Sequence, residues 1–331
     1  MNMDPISFPG LHLSFNIQPV AFQLFGFPVY WYGIIIATGL VLAMLYGMKR
    51  AGSFGILQDD LMDVIIFSLI AGIVGARLYY VIFYKDPYGG ANPYFTDPLS
   101  IIQFRNGGLG IYGGIIAAFL CALIVCRVKK ISTGAVFDIA GLGFLIGQGI
   151  GRWGNFVNRE AYGAQTGLPW RMVVDTTQTG YHPCFFYEFL WCAVGFILLH
   201  IYSKRRKFNG EVFLMYMMWY AVGRFFIEGL RTDSLMLGNI KISQLVAVVA
   251  FAAAGVYLLI RRSRLKANGS EAEYTPIYED ASKALQESEE QNGEENGDGA
   301  EPAAEPDSTA PAGTDNDSGA PEDPAEKKES E

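Results

Sequence analysis

The 331-residue sequence has only three histidines and four cysteines, and it has no nucleotide-binding glycine loop. Cys121, Cys126, Cys184 and Cys192 lie in or beside apolar segments, without ligand-type spacing or companion histidines, so no metal is expected and they read as small buried apolar residues. No GxxxxGK[ST] run occurs and no soluble domain of useful size is evident, which excludes ATP-driven work. The first 27 residues lack a basic leader followed by a short apolar core and a small-residue cleavage site, so the first apolar segment is expected to stay in the protein. No cofactor and no nucleic-acid partner is expected.

Acidic charge is scarce over 1–266 and abundant after it. The stretch 267–331 holds 20 of the 33 acidic residues against three lysines, which leaves 22 basic and 13 acidic residues, net +9, in the part before it. The overall charge of −8 is therefore a property of the tail and says nothing about a substrate. So polar a segment cannot bury enough apolar surface to offset its ordering entropy, and 267–331 is expected to be a disordered acidic tail behind a transmembrane domain, 1–266.

What the first part has in quantity is long apolar runs. Seven segments, near 30–48, 61–84, 109–127, 134–150, 184–202, 212–230 and 242–260, approach the roughly 20 residues that cross a bilayer core as a helix. The expected fold class is all-α, a polytopic membrane protein of about seven transmembrane helices. In the fourth segment Gly143, Gly147 and Gly151 recur every fourth residue, a smooth face for close helix approach, and this segment is expected inside the bundle. Basic residues settle the orientation. Thirteen (Lys49, Arg50, Arg127, Lys129, Lys130, Lys204, Arg205, Arg206, Lys207, Arg261, Arg262, Arg264, Lys266) fall at one set of ends and seven at the other. The richer side is cytoplasmic by the positive-inside rule, so the N-terminus is outside and the tail inside.

The outer side then receives the densest polar cluster of the chain, Gly151-Arg152-Trp153-Gly154-Asn155-Phe156-Val157-Asn158-Arg159-Glu160-Ala161-Tyr162-Gly163. Ionisable groups beside hydrocarbon must pair, reach water or serve a function. On the sixth segment Tyr220, Arg224 and Glu228 recur every four residues and share a helix face. Arg224 and Glu228 can pair with each other, or join Arg152 in a phosphate pocket, since the guanidinium fork offers bidentate hydrogen bonds and keeps its charge when partly desolvated. Gly107–Gly114 opens the third segment either as an anion-binding helix start or as a close packing surface. Tyr30-Trp31-Tyr32-Gly33 opens the first and His182-Pro183 the fifth.

These residues together resemble the bacterial prolipoprotein diacylglyceryl transferases. The run Gly151-Arg152-Trp153-Gly154-Asn155-Phe156-Val157-Asn158-Arg159-Glu160-x-x-Gly163 is similar to that family's G-R-x-G-N-F-x-N-x-E-x-x-G. So are Trp31-Tyr32-Gly33, Gly75-Ala76-Arg77-Leu78, His182-Pro183-x-x-x-Tyr187-Glu188 and Tyr220-x-x-x-Arg224-x-x-x-Glu228, in order along the chain. The resemblance implies transfer of a diacylglyceryl group from phosphatidylglycerol to the lipobox cysteine of a prolipoprotein, with release of glycerol phosphate, in a bacterial cell membrane with the site toward the outer leaflet. It implies phosphatidylglycerol, prolipoprotein signal peptides and membrane lipids as partners. It implies Tyr32, Asn155, Glu160, Gly163, Arg224 and Glu228 as catalytic positions and Arg152 with Arg224 as the phosphatidylglycerol site. Arg77, Tyr112, His182 and Tyr220 are further candidates. Tyr112 stands where some members carry a histidine considered a catalytic base. The proton of the attacking thiol is left to Glu160, Glu228 or His182. A transporter of a small anionic solute is the alternative reading.

Overall fold

The computed structural model describes residues 4–84, 92, 94, 97–103, 107–174, 177–232, 236–238 and 240–269. The acidic stretch from 270 onward, and with it nearly all of the expected tail, lies outside the described residues, as does Arg105.

Among the described residues seven long helices carry the fold: α1 (Trp31–Ala51), α2 (Gln58–Phe83), α3 (Ile111–Val128), α4 (Thr133–Asn158), α5 (Cys184–Ser203), α6 (Glu211–Leu230) and α7 (Ile242–Ala267). Among the described residues six of them, all but α6, are long and apolar enough to cross a membrane. The expected bundle of about seven helices is present, and one of them falls short of that measure of apolarity. The helix at 211–230 forms, but Glu211, Arg224 and Glu228 lower its hydropathy, and it hides that polarity by packing on α4, α5 and α7. A stripe of this kind needs neighbouring protein and not lipid around it.

α4 is the most buried of the six and touches α1, α5 and α6. Its every-fourth glycines do face α1: Gly143 lies opposite Ala43, and Gly151 faces Ile36. A second glycine row, Gly141 and Gly149, receives Tyr216 of α6 and Cys192 of α5. With no Cβ on either row, helices approach α4 from two sides and it becomes the axis of the bundle. α2 and α3 form a separate pair in which Gly75 lies on the backbone of Gly113. The glycines at the start of α3 are thus taken up by helix packing, and Gly110 N–H donates to Ala76 O at 2.8 Å. Cys126, Cys184 and Cys192 are buried and Cys121 is half-buried, none of them in a disulfide.

α5 and α6 make an antiparallel helical hairpin whose register is set by a reciprocal tryptophan clasp. Trp191 Nε1 donates to Trp219 O at 2.9 Å, Trp219 Nε1 donates to Trp191 O at 3.0 Å, and the two indoles stack with centroids 4.4 Å apart. Each ring lies on the glycine one turn beyond the other. A Cβ at Gly195 would stand 2.2 Å from Trp219 Nε1, and one at Gly223 would stand 2.2 Å from Trp191 Nε1. At the far end of the hairpin the fully buried Asp138 of α4 accepts hydrogen bonds from Gly210 N and Phe213 N, both at 2.8 Å. It caps the start of α6 from another helix, and so satisfies donors that a helix N-terminus cannot pair internally.

The opposite ends of the helices carry short antiparallel ribbons, β1 (Ile6–Phe8) with β2 (Leu13–Phe15) and β3 (Val20–Leu24) with β4 (Phe27–Tyr30). β1 adds the backbone of Val173, and Ile6, Phe8, Phe156, Val157, Met172, Val174 and Phe185 close a second small core there. The all-α expectation holds for the bundle, and these strands are an addition at one end of it.

Candidate active site

The C-terminal end of α4, the start of α5 and the C-terminal end of α6 meet, because α5 and α6 run antiparallel and α4 lies against both. Arg152 Nε lies 2.6 Å from Glu188 Oε2, and Arg224 Nη1 lies 3.9 Å from the other oxygen of the same carboxylate. Arg224 Nη2 also holds Glu228 Oε2 at 2.8 Å, one helical turn away. Arg224 therefore pairs with Glu228 along its own helix and also stands in a cluster with Arg152.

From Arg152 a chain of hydrogen bonds leads outward. Its Nη1 donates to Asn155 Oδ1 at 3.2 Å, and Asn155 Nδ2 donates to Glu160 Oε1 at 2.9 Å, where Asn158 Nδ2 also approaches to 3.4 Å. Glu160 can fold back because Arg159, the residue that ends α4, has φ 56°, a left-handed turn in which Glu160 N–H bonds to Asn155 O at 3.0 Å. The side chain of Arg159 goes elsewhere and ties down the N-terminal segment, donating to Asp4 O at 2.6 Å and Ile17 O at 2.9 Å. The two arginines of the motif thus have different work, one in the cluster and one in the scaffold.

Tyr32 packs its ring on Gly154, where a Cβ would come within 2.7 Å of it. It lines, with Tyr30, Gly33 and Asn158, an open cavity of about 540 Å³ beside the outermost part of the cluster. Gly163 contributes no side chain, and its part is spatial. Its N–H donates to His182 O at 2.9 Å, its backbone bridges to Arg231, and a Cβ would press to 2.8 Å on both Cys184 Sγ and His182 Cβ. Tyr220 stacks along α6 on Tyr216, one turn before Arg224.

Three candidates stand apart from this cluster. Arg77 is almost fully buried and spreads its guanidinium over backbone carbonyls of Ser100, Ile101, Gln103, Gly107 and Gly108 at 2.6–3.3 Å. That is the clamp of a loop. Tyr112 is exposed at the start of α3 with its ring near Tyr79. His182 Nδ1 is 3.3 Å from Tyr187 Oη, which accepts a hydrogen bond from Trp170 Nε1 at 2.8 Å.

Two residues outside the candidate set are central. Glu188, quoted above only as part of a motif, is shared by Arg152, Arg224 and Arg231. Arg231 places Nη1 3.9 Å from Glu188 and Nε 4.0 Å from Glu228. The signal for Glu188 was available: a carboxylate in the second turn of a membrane helix requires a cationic partner. Lys241 then seals the end of α6 by donating to the carbonyls of Glu228, Gly229 and Arg231 at 2.5–3.3 Å. Among the described residues no group of histidine, cysteine or carboxylate side chains is arranged to hold a metal.

Chemically, three guanidiniums facing two buried carboxylates can receive an anion, and Glu160 with its asparagines provides a polar route to the exposed edge. The family model for prolipoprotein diacylglyceryl transferase matches residues 19–261. A protein of Finegoldia magna named phosphatidylglycerol–prolipoprotein diacylglyceryl transferase is 44% identical over 244 residues, 73% of this chain and 94% of its own length. Proteins of the same name from Enterococcus faecalis and Clostridioides difficile are 45% and 42% identical over 260 and 231 residues, covering 75% and 70% of this chain and 91% and 90% of theirs. The matched stretch contains every residue of the cluster and both helices of its hairpin, and this chain belongs to the prolipoprotein diacylglyceryl transferase family.

Proposed function

We propose that this protein transfers the diacylglyceryl group of phosphatidylglycerol to the cysteine thiol of a prolipoprotein lipobox, as a multi-pass protein of a bacterial cell membrane with its site toward the outer leaflet. The observation that carries the reading is the convergence of Arg152 and Arg224, from different helices, on one carboxylate at the motif end of the bundle. The basic residues at the opposite helix ends support the orientation. The transporter alternative gains nothing from relatives that all carry a transferase name.

In the reaction a thiolate sulfur forms an S–C bond to the glyceryl carbon. The C–O bond to phosphate breaks, its electron pair goes to the phosphate oxygen, and glycerol phosphate leaves. Arg152 and Arg224 hold the phosphate as its charge grows, in a partly dry setting where such contacts are strengthened. A free thiol with a pKa of about 8.5 is a few per cent ionised near neutrality, and neighbouring guanidiniums favour the thiolate. Among the described residues Glu160 is the cluster carboxylate with amide partners, whereas Glu188 and Glu228 are held by guanidiniums. We assign the thiol proton to Glu160. Tyr32 and Asn155 position these groups, and the step balances without a cofactor.

The test combines purified protein, phosphatidylglycerol and a lipobox peptide. A diacylglyceryl mass increase on the peptide cysteine is expected, together with its loss in Arg152→Ala that remains inserted in the membrane. Near-normal labelling by that variant overturns the mechanism.

A further inference from the structure

Glu188 lies within ion-pair distance of three guanidiniums that arrive on α4, on α6 and just past the end of α6, and its side chain is only 9% exposed. The Arg152 contact, at 2.6 Å, is a hydrogen-bonded pair, whereas Arg224 and Arg231, at 3.9 Å, interact through charge alone. Glu228, held by Arg224, and Glu160, reached from Arg152 through Asn155, are the other carboxylates of the cluster.

We propose that Glu188 is a positioning residue that tunes the arginine cluster to a phosphodiester of one negative charge over a phosphomonoester of two, so that the glycerol phosphate made by transfer is released. The inference rests on the proposed diacylglyceryl transfer. The lipid enters as a diester monoanion. When the C–O bond breaks, the phosphate becomes a monoester of about −1.5 to −2 near neutral pH. The buried Glu188 carboxylate, among the same guanidiniums, then faces a greater like charge in a setting of weak dielectric screening. A residue that serves only as a strut for Arg152 needs its oxygen, not its charge.

Glu188→Gln separates the two roles, because the amide oxygen can still accept from Arg152 Nε while the charge is gone. The probes are glycerol 1-phosphate and glycerophosphoglycerol, a monoester and a diester, as competitive inhibitors of transfer from phosphatidylglycerol to a lipobox peptide. Direct titration of both into purified protein provides a readout that needs no turnover. In the wild type the diester is expected to bind at least as well as the monoester. In Glu188→Gln the monoester is expected to gain about tenfold relative to the diester, the size of one favourable charge contact removed or added.

A ratio that stays within twofold between the two proteins overturns the proposal. So does a wild type that already prefers the monoester by tenfold, a measurement that stands even if the variant does not fold. Failure of the wild type to label the peptide at all refutes the transferase reading itself; labelling with an unmoved ratio refutes only the role of Glu188.

Discussion

Gly223→Ala tests whether the tryptophan clasp sets the geometry of the site. The added methyl would stand 2.2 Å from Trp191 Nε1, 2.4 Å from Cδ1 and 2.8 Å from Cε2, so the indole has to move by more than an ångström to reach ordinary contact. Moving it breaks the 2.9 Å bond to Trp219 O and separates rings stacked at 4.4 Å. Overpacking costs about 1–3 kcal/mol, and a buried donor left unpaired adds about 1–3 kcal/mol. A destabilisation of about 2–6 kcal/mol follows from the two together. The functional effect is larger than the stability effect suggests. Gly223 adjoins Arg224, and Trp191 is one turn from Glu188, so a shift of α5 against α6 misplaces the Arg224–Glu188 contact at 3.9 Å. A misplacement of about 1 Å in such a constellation can cost on the order of a hundredfold in rate. The assays are thermal unfolding in detergent followed by tryptophan fluorescence, and labelling of a lipobox peptide at a temperature where the variant is folded. Adding Trp191→Phe, which removes the bulk nearest the new methyl, should return part of both losses. A Gly223→Ala protein that melts with the wild type and labels within twofold of its rate refutes the reasoning.

Arg77→Ala leaves five backbone carbonyls without their cationic donor. A loss of about 3–5 kcal/mol is expected, with faster proteolysis in the 97–108 segment, and Arg77→Lys should rescue it poorly because a point charge cannot span the fork. Asp138→Ala uncaps α6 at Gly210 and Phe213. It should destabilise by about 2 kcal/mol or more while the KM for phosphatidylglycerol of the surviving folded protein stays near normal, since the cap lies at the other end of the hairpin. Removal of 270–331 should leave membrane insertion and labelling unchanged, because the composition of that stretch supplies little apolar surface for the bundle to bury; loss of labelling in the truncated protein would give the tail a role in the reaction.

How far the chain could be read in advance depended on the range of the interaction concerned. The seven long helices, the glycine face of α4 and the partnership of Arg224 with Glu228 were all legible. Each is a local matter, a run of apolar residues or a spacing of four on one helix, and hydrocarbon as solvent permits few alternatives for such segments. The ordered motifs likewise identified the family without coordinates. The strands at the motif end were missed for a local reason of another kind. The β3–β4 turn is Phe25-Gly26, with φ of 50° and 80°, and a phenylalanine in the left-handed region is not among the residues that announce a two-residue hairpin.

The tertiary structure alone decided which charges meet. The sequence placed Arg77 and Arg152 alike, each in a motif near the motif end of a membrane helix, yet one closes a loop and the other joins Arg224. It gave Glu188 no role, although three arginines close on it. Composition and periodicity fix the face on which a residue stands, because helix geometry repeats within one turn. Which face it meets is set by the clasp between Trp191 and Trp219 and by the cap from Asp138, contacts across 28 and more than 70 residues of chain. Contacts of that span depend on packing and have no period to be read.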